Sequence, residues 1–401
     1  MFIAKMKCSW LQHPFLKNSF YVSARKDIEK LLDHGVYEVY IDTTKGLDVE
    51  DSQTEAEVKD SLEANLGLIA AENRLKPEKV PIHEEYGVAL QIRDEALRTV
   101  AGVMQQIKLG NPLKLEQTQA IIHRMIDSVA RNRNALLTLC RLRQKHEYTY
   151  MHCIGVATLM ICFCETLDFS RDEIHAAGLA GLFHDIGKSI IPDAILDKAG
   201  PLDDEELSLL RVHPVTGKRL LQESGLEHPL ILMVAQQHHE RFDGSGYPDG
   251  LKGDDISTIG QISAIVDVYD ALTSTRAYKD ALEPTAAIRE IYEISRYYFN
   301  PRITEHFIKF IGIYPVGTLL RMANGLLGFV TDFSDGKLLE PVLRVVYDTR
   351  RNCFVSPYDV NLSKHANKKP GNEIIGSEDP EKWHIDRSLF LEEFRPLGDL
   401  R

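Results

Sequence analysis

Histidine and aspartate side chains that could bind metal ions are concentrated between residues 152 and 270 of the sequence. Imidazole and carboxylate groups suit divalent iron, manganese and similar metals, and together they can leave coordination positions open for water and substrate. The candidate ligands are His152, His184, Asp185, His213, His238, His239, Asp267 and Asp270. Five imidazoles with two or three carboxylates predict a site for two metal ions.

The dipeptide His184-Asp185 follows a run of apolar residues at helical spacing, so it falls near the end of a predicted helix. Adjacent side chains on a helix diverge by about 100°, so these two cannot point at the same position. Because a carboxylate has two oxygens, Asp185 can bridge two metals while His184 binds one of them. Lys188, one helical turn beyond His184, could neutralise a phosphate beside the metals.

Each of these residues has an ordinary explanation when it is taken alone. His152 would more often be a surface or core histidine, His213 could cap a turn before Pro214, and His238-His239 could be exposed. Asp267 and Asp270 share one helix face at a spacing of three residues. Because all of these residues occur together and in this order along the chain, a metal site is favoured over the separate explanations.

The stretch from about 145 to 311 resembles the HD-GYP domain, a branch of the HD hydrolase superfamily. The motifs that carry the resemblance are, in order, Tyr148-Thr149-Tyr150-Met151-His152; His184-Asp185-Ile186-Gly187-Lys188 with Ile191-Pro192; Lys198-Ala199-Gly200 with Leu202 and Glu205-Glu206; His213-Pro214; His238-His239-Glu240-Arg241; Asp243-Gly244-Ser245-Gly246-Tyr247-Pro248; Gly250-Leu251-Lys252-Gly253; and the run from Asp267 to Ser274. Residues 1–70, especially the segment 10–15, resemble the small domain often found ahead of this core.

The resemblance implies hydrolysis of cyclic di-GMP to linear pGpG, and sometimes on to GMP, through a hydroxide that bridges two metals. Some relatives act on 3'3'-cyclic GMP-AMP instead. Carried over to this chain, one metal takes His152, His184, Asp185 and Asp267, and the second shares Asp185 and takes His213, His238 and His239. The predicted cofactors are therefore two divalent ions, with iron or manganese favoured over other divalent metals.

The resemblance also assigns roles around the metals. Asp185 and Lys188 are the predicted catalytic residues, and the predicted substrate contacts are Lys188, Tyr247, Asp270, Arg276 and Lys279. Relatives with three metals carry a glutamate one helical turn before the first histidine. Tyr148 stands at that position here, so two metals rather than three are expected.

Two other classes of function are open at this point. A receptor would bind a cyclic dinucleotide without useful turnover, but all seven ligand positions are filled. An HD-type nucleotidase would act on mononucleotides, but the Gly246-Tyr247-Pro248 tripeptide and the Arg276/Lys279 pair favour a cyclic dinucleotide.

The composition limits the kinds of partner that the protein is expected to bind. A formal net charge of −12 disfavours binding to long nucleic acid, which needs a field of basic residues. No apolar stretch is long enough to span a membrane, and no secretory signal is visible. The six cysteines form no CxxC pair, and Cys153, Cys162 and Cys164 read as reduced core residues. These features predict a cytoplasmic protein; a homodimer is possible, and no regulatory partner can be named.

The pattern of elements predicts a mainly α protein with a helical HD-type core, a small α/β N-terminal domain and a β-rich C-terminal extension. The expected boundaries are 1–70 for the N-terminal domain, 71–144 for a helical connector, 145–312 for the catalytic domain and 313–401 for the extension. Within 1–70 we expect strands at 20–22 and 36–41, a helix over 28–32 with Ser23 as its N-cap, and an acidic linker or solvated face at 48–60. We expect strands at 326–333 and 341–347 around a turn at 335–336, and a polar loop at 363–376. Met1 is expected to fall inside an element.

Overall fold

The computed structural model describes residues 1–7, 19–49, 52–71, 78–111, 115–141, 148–196, 198, 200, 202–274, 281–333 and 337–385. Within these ranges the fold is mainly helical, with one small antiparallel sheet near each end of the chain. The predicted fold class is confirmed.

The N-terminal unit is a three-stranded antiparallel sheet beside one helix. Its elements are β1 (Phe2–Met6), β2 (Phe20–Tyr21), α1 (Arg25–Asp33) and β3 (Val39–Ile41), and the strand order is β2-β1-β3. The buried side chains of Ile3, Met6, Leu31 and Val36 form a core of their own. This separate core explains why the unit folds as a small module on the larger helical body.

Two details of this region differ from the sequence prediction. The N-cap of α1 is Ala24 rather than Ser23, because the Asp27 carboxylate accepts the backbone N–H groups of both residues and fixes the turn one residue later. The acidic run 48–60, expected to be a linker or a solvated face, is not a linker throughout, since the largely exposed start of α2 (Glu55–Ala71) lies inside it. Its buried residues Leu62, Leu66 and Ala70 recur every fourth position and pack one face of α2 on the core.

The helical body contains α3 (Ile82–Lys108), α4 (Leu115–Arg141), α5 (Tyr148–Thr166), α6 (Arg171–Phe183), α7 (Asp193–Leu196), α8 (Asp204–Arg211), α9 (His213–Glu223), α10 (Pro229–Gln237), α11 (Thr258–Leu272), α12 (Pro284–Tyr298) and α13 (Pro301–Ile311). A short 3-10 turn, Ile186–Ile190, follows α6. The predicted connector helices appear as α3 and α4, which pack on each other and on α5, and α4 also packs on α6. They share one continuous core with the helices that follow them.

Helix α5 lies at the centre of this body. It is apolar on all sides, so it must be covered on all sides, and α3, α4, α6, α11 and α13 surround it. Cys153, Cys162 and Cys164 are buried within it and form no disulfide with any described residue. A central helix held by five neighbours gives His152 a fixed position.

The C-terminal sheet has five antiparallel strands in the order β7-β6-β5-β4-β8. They are β4 (Leu319–Met322), β5 (Leu326–Asp332), β6 (Val342–Asp348), β7 (Cys353–Asn361) and β8 (Ile374–Ser377). The two predicted strands are confirmed as β5 and β6, and the predicted turn at 335–336 lies outside the described residues. The loop expected at 363–376 is wrong at its end, where β8 pairs with the open edge of β4.

None of the helices in the described ranges is long and apolar enough to cross a membrane.

Candidate metal centre

The predicted ligands meet where several helices of the body begin or end. His152 lies in α5, His184 ends α6, His213 opens α9, His238 ends α10 and Asp267 lies in α11. The remaining two, Asp185 and His239, each follow a ligand histidine directly. All seven are buried except His239, which is half-buried. Residues separated by up to 115 positions therefore form one cluster in the interior.

Gly187 brings two parts of this cluster together. A Cβ atom at this position would collide with the carbonyl oxygen of His213 and lie 2.7 Å from the backbone nitrogen of Gly217. Only glycine lets the turn after α6 approach the start of α9 this closely. The contact places Asp185 beside His213.

The two oxygens of Asp185 face two different groups of imidazoles. Its Oδ2 lies 3.4 Å from His184 Nε2 and 3.9 Å from His152 Nε2. Its Oδ1 lies 3.3 Å from His213 Nε2 and 3.6 Å from His238 Nε2. Potential ligand atoms of Asp185, His213, His238 and His239 lie within 4.8 Å of one another, as do those of His152, His184 and Asp185.

Asp267 completes the first of these groups. Its Oδ1 lies 3.0 Å from His152 Nε2 and 3.7 Å from His184 Nε2. The chain thus offers two ligand groups that share one carboxylate, which is the division that the resemblance implies.

Backbone carbonyls fix the orientation of three of the imidazoles. The Nδ1 atoms lie 2.8 Å from Gly181 O for His184, 2.7 Å from Leu210 O for His213 and 2.9 Å from Val234 O for His238. A carbonyl oxygen only accepts, so each Nδ1 must donate, and in the neutral ring the Nε2 lone pair points into the centre. This is the tautomer that binds a metal through Nε2.

Burial and neighbouring charges set the protonation states of Asp185, His213 and His239. Burial opposes ionisation of Asp185, but Lys188 and His184 hold the pKa of its carboxyl well below the ordinary value. Burial lowers the pKa of His213 to about 4, and burial together with His238 and His213 lowers that of His239. Near neutral pH the centre therefore holds an ionised carboxylate at Asp185 and neutral rings at His213 and His239, which are the states that bind metal.

Two buried atoms show that the cluster suits a cation. Within the described part of the chain, His184 Nε2 and Asp185 Oδ1 are buried and have no hydrogen-bond partner. His213 Nε2 and His238 Nε2 are only 3.2 Å apart, although the tautomers above leave a lone pair on each. Buried acceptors that face one another are costly unless a positive charge lies between them. The residues present therefore fit divalent metal binding.

Asp270 was predicted to contact substrate, but its carboxylate lies on the far side of His152. Its Oδ2 is 2.6 Å from His152 Nδ1, and the residue is 3% exposed. Burial opposes protonation of His152, yet the carboxylates of Asp267 and Asp270 outweigh burial and raise the pKa of this ring. We propose that Asp270 orients His152 for metal binding rather than touching substrate.

Replacement of Asp270 by asparagine tests this role. Asp270→Asn should weaken metal affinity by about 10- to 100-fold, because the carboxylate that orients the ring and raises its basicity is lost. Metal titration of the stripped protein, followed by competition with a chelator, measures the change. A substrate contact would instead raise KM and leave metal affinity at the wild-type value.

Three residues of the sequence prediction fall wholly or partly outside the described structure. Arg276 and Lys279 lie outside the described residues, and so does the side chain of Tyr148. The prediction of two metals rather than three, which rests on Tyr148, stays a prediction.

Lys188 and Tyr247 do lie at the centre. Lys188 Nζ is 2.6 Å from Asp185 Oδ2, and its side chain is 27% exposed. The ring of Tyr247 stacks on that of His239 at 4.7 Å between centroids. Tyr247 belongs to the segment 241–251, here named the Gly-Tyr-Pro loop. The backbone N–H groups of Asp249 and Leu251 in this loop donate to the buried carboxylate of Glu240.

Arg211 is a further residue at the centre, which the sequence did not single out. Its guanidinium lies 5.4 Å from the centre of the Tyr247 ring, and its Nε is buried with no hydrogen-bond partner among the described residues. The available signal was its position two residues before His213. A cation here places positive charge beside Tyr247, whose ring stacks on His239.

Comparisons with known proteins agree with this architecture. The family described as "HD domain" matches residues 122–303, and the family described as "Domain of unknown function (DUF3391)" matches residues 1–118. The HD match begins inside the predicted connector, in keeping with the shared core of α4, α5 and α6.

Named relatives match over different lengths. "Cyclic di-GMP phosphodiesterase PA4108" of Pseudomonas aeruginosa is 36% identical over 386 residues, which cover 96% of this chain and 91% of that protein. "3'3'-cGAMP-specific phosphodiesterase 2" of Vibrio cholerae is 37% identical over 160 residues, or 38% of this chain and 31% of that one.

A solved structure, "Bd1817, a HDG"Y"P protein from Bdellovibrio bacteriovorus", aligns with a TM-score of 0.46 and 17% identity over 74% of this chain and 88% of that chain. The family assignment rests on the nearly full-length alignment with the Pseudomonas protein and on the motifs around the ligands. The chain belongs to the HD-GYP family of HD-domain proteins, with a DUF3391 domain ahead of its helical core.

Proposed function

We propose that this protein is a metal-dependent phosphodiesterase that hydrolyses cyclic di-GMP to linear pGpG. The observation that carries the proposal is the carboxylate of Asp185, whose two oxygens face separate groups of buried imidazoles. The names of relatives that share its core, including one matched along nearly its whole length, support a cyclic dinucleotide as substrate.

The two ligand groups would hold two divalent ions, for which iron or manganese is our proposal on the basis of the imidazole and carboxylate ligands. His152, His184 and Asp267 would serve one ion, His213, His238 and His239 the other, and Asp185 both. When bound, such ions supply Lewis acidity and a water molecule acidic enough to act as a nucleophile near neutral pH.

The protein's own residues would bind and orient the substrate. Lys188, partly exposed beside Asp185, can donate to a non-bridging phosphate oxygen. Arg211 places a second positive charge near the ring of Tyr247. These two cations give an acidic protein a local site for an anionic ligand, and Tyr247 offers an aromatic surface at its edge.

Removal of the Arg211 charge should weaken substrate binding more than catalysis. We expect Arg211→Ala to raise KM for cyclic di-GMP by about tenfold, the effect of losing one charge-assisted hydrogen bond, with metal content unchanged. Steady-state kinetics with metal analysis measures both. Arg219→Ala, an exposed change in α9, is the matched control. Wild-type KM in Arg211→Ala would remove Arg211 from the substrate site.

One experiment tests the proposed activity as a whole. Protein purified without oxygen is analysed for metal and then incubated with cyclic di-GMP, 3'3'-cyclic GMP-AMP and a panel of mononucleotides. Two ions per chain and rapid formation of linear pGpG are the expected result. Faster cleavage of cyclic GMP-AMP would change the substrate, turnover of mononucleotides alone would favour a nucleotidase, and binding without multiple turnover would favour a receptor.

We also propose that the protein is located in the cytoplasm. The buried cysteines Cys153, Cys162 and Cys164 form no disulfide among the described residues, which supports a reducing compartment such as the cytoplasm. A homodimer and a regulatory protein partner stay predictions.

A further inference from the structure

The N-terminal domain contacts the catalytic body next to the Gly-Tyr-Pro loop. The contact is made by residues 35–38, here named the docking segment, which connect α1 to β3. Tyr298, a buried residue at the end of α12, donates from its hydroxyl to the carbonyl of Gly35 at 2.8 Å. A Cβ atom on Gly35 would lie only 2.8 Å from Ser245 Oγ and 3.2 Å from the Arg241 guanidinium. The backbone of one domain thus lies directly against the loop of the other.

Side chains of the docking segment extend this contact along α12. Glu38 accepts a hydrogen bond from the Tyr297 hydroxyl at 3.1 Å and lies 3.5 Å from the Arg296 guanidinium. Its other carboxylate oxygen is paired with Lys7 at 3.0 Å, which ties the contact to the end of β1. The ring of Tyr37 packs on that of Tyr297, with 4.7 Å between centroids. The interface is thus built from specific polar and aromatic pairs.

Ser245 and Arg241, which lie next to Gly35, also form the hydrogen bonds that hold the Gly-Tyr-Pro loop in its conformation. Arg241 stacks on the Tyr298 ring at 4.1 Å and donates to Ser245 Oγ at 3.2 Å. Asp243 accepts from both the backbone nitrogen and the hydroxyl of Ser245, at 2.9 and 2.7 Å. One small network of hydrogen bonds therefore joins the docking segment to the loop.

The connection from this network to the metal centre is short. Ser245 stands two residues before Tyr247, and the intervening Gly246 packs so closely on the preceding chain that a Cβ would lie 2.6 Å from Glu240 Cα. Tyr247 then donates its backbone N–H to His239 O at 3.2 Å and stacks its ring on the same histidine. With no room between these segments, a displacement at Ser245 moves Tyr247 as well.

We infer that the DUF3391 domain is a positioning element of the active site, whose docking segment holds the Gly-Tyr-Pro loop so that Tyr247 lies over the metal ligands. The kinetic half of this inference rests on the proposed phosphodiesterase function, and the structural half does not. The inference gives the domain a role in substrate binding, and any agent that undocks it would reduce affinity for substrate without touching the metals.

Two variants of the full-length protein test the inference from opposite sides of the interface. Tyr298→Phe removes the hydroxyl that reaches Gly35 but keeps the ring on which Arg241 stacks. Glu38→Lys places a cation beside Arg296 and Lys7. Glu29→Lys, an exposed charge reversal on α1, is the matched control. Arg296→Glu combined with Glu38→Lys restores an opposite-charge pair and is the rescue variant.

Hydrogen exchange followed by mass spectrometry reports on the loop without any need for turnover. In both interface variants we expect the amides of 241–251 to exchange about tenfold faster, while β1 and β3 keep their protection and show that the domain is folded. We expect KM for cyclic di-GMP to rise about fivefold, with kcat and metal content near wild type, and the rescue variant to recover part of the loss.

Wild-type exchange of the loop amides in both variants would overturn the inference. So would accelerated exchange with an unchanged KM in an enzyme that turns over cyclic di-GMP. A protein that cleaves no cyclic dinucleotide at all would contradict the proposed function, while the exchange data would still decide whether the domain holds the loop.

Discussion

Asp185→Ala should abolish turnover of the cyclic dinucleotide, with kcat/KM lowered by at least about 1,000-fold. Both ligand groups depend on this carboxylate, since His184 Nε2 and His213 Nε2 lie 3.4 and 3.3 Å from its two oxygens. The substitution also deprives Lys188 of its partner at 2.6 Å. Initial rates of linear dinucleotide formation, measured with metal supplied in excess, give the size of the effect.

Asp172→Ala is the control for this change, because it removes an exposed aspartate from the first turn of α6, the helix that ends beside Asp185. It should keep wild-type rates and metal content. Asp185→Asn keeps one oxygen but loses the charge, and it should bind fewer than two ions per chain. Wild-type rates in fully metal-loaded Asp185→Ala would mean that the bridging role is wrong.

Removal of the metals should end turnover and also lower the stability of the helical body. His213 Nε2 and His238 Nε2 lie 3.2 Å apart, and burial holds the pKa of His213 at about 4, so without an ion between the rings protonation does not relieve the contact near neutral pH. A bound ion at 1,000 times its Kd adds about 4 kcal/mol of stability. For a domain of this size that amounts to roughly 10 °C in Tm.

Thermal unfolding of loaded, stripped and reloaded protein measures this shift, with activity followed in the same samples. Stripped Asp185→Ala provides the comparison, because its Tm should rise much less when metal is returned. Turnover by protein that holds less than about one tenth of an ion per chain would contradict a metal-dependent mechanism.

The sequence predicted the membership of the cluster better than its internal arrangement. The ligand types, their order along the chain and the family resemblance predicted seven ligands, and the structure brings these seven residues together. Which imidazole faces which oxygen of Asp185 depends on the contact between Gly187 and His213, and that contact joins segments 26 residues apart. A pattern within a short stretch of sequence does not predict a contact between such distant residues.

The same reason explains the residues that were assigned differently or missed. Asp270 shares a helix face with Asp267, so its spacing made it a candidate ligand, but its position behind His152 is set by the packing of α11 on α5. Arg211 lies near Tyr247 only because α8 ends beside the Gly-Tyr-Pro loop. Strand β8 was missed because its pairing with β4, rather than its composition, makes it a strand.

The hydrogen bonds from His184, His213 and His238 to Gly181, Leu210 and Val234 have a structural consequence beyond the metals. Each accepting carbonyl lies in the last turn of a helix, α6, α8 or α10, and those of Leu210 and Val234 also accept from the backbone N–H groups of Val212 and His238. The three imidazoles therefore also serve as C-terminal caps, and an alanine scan of the ligands would remove a cap together with a ligand. Asparagine, whose side-chain amide can still donate, separates the two roles: it spares the helix end and deletes the metal contact.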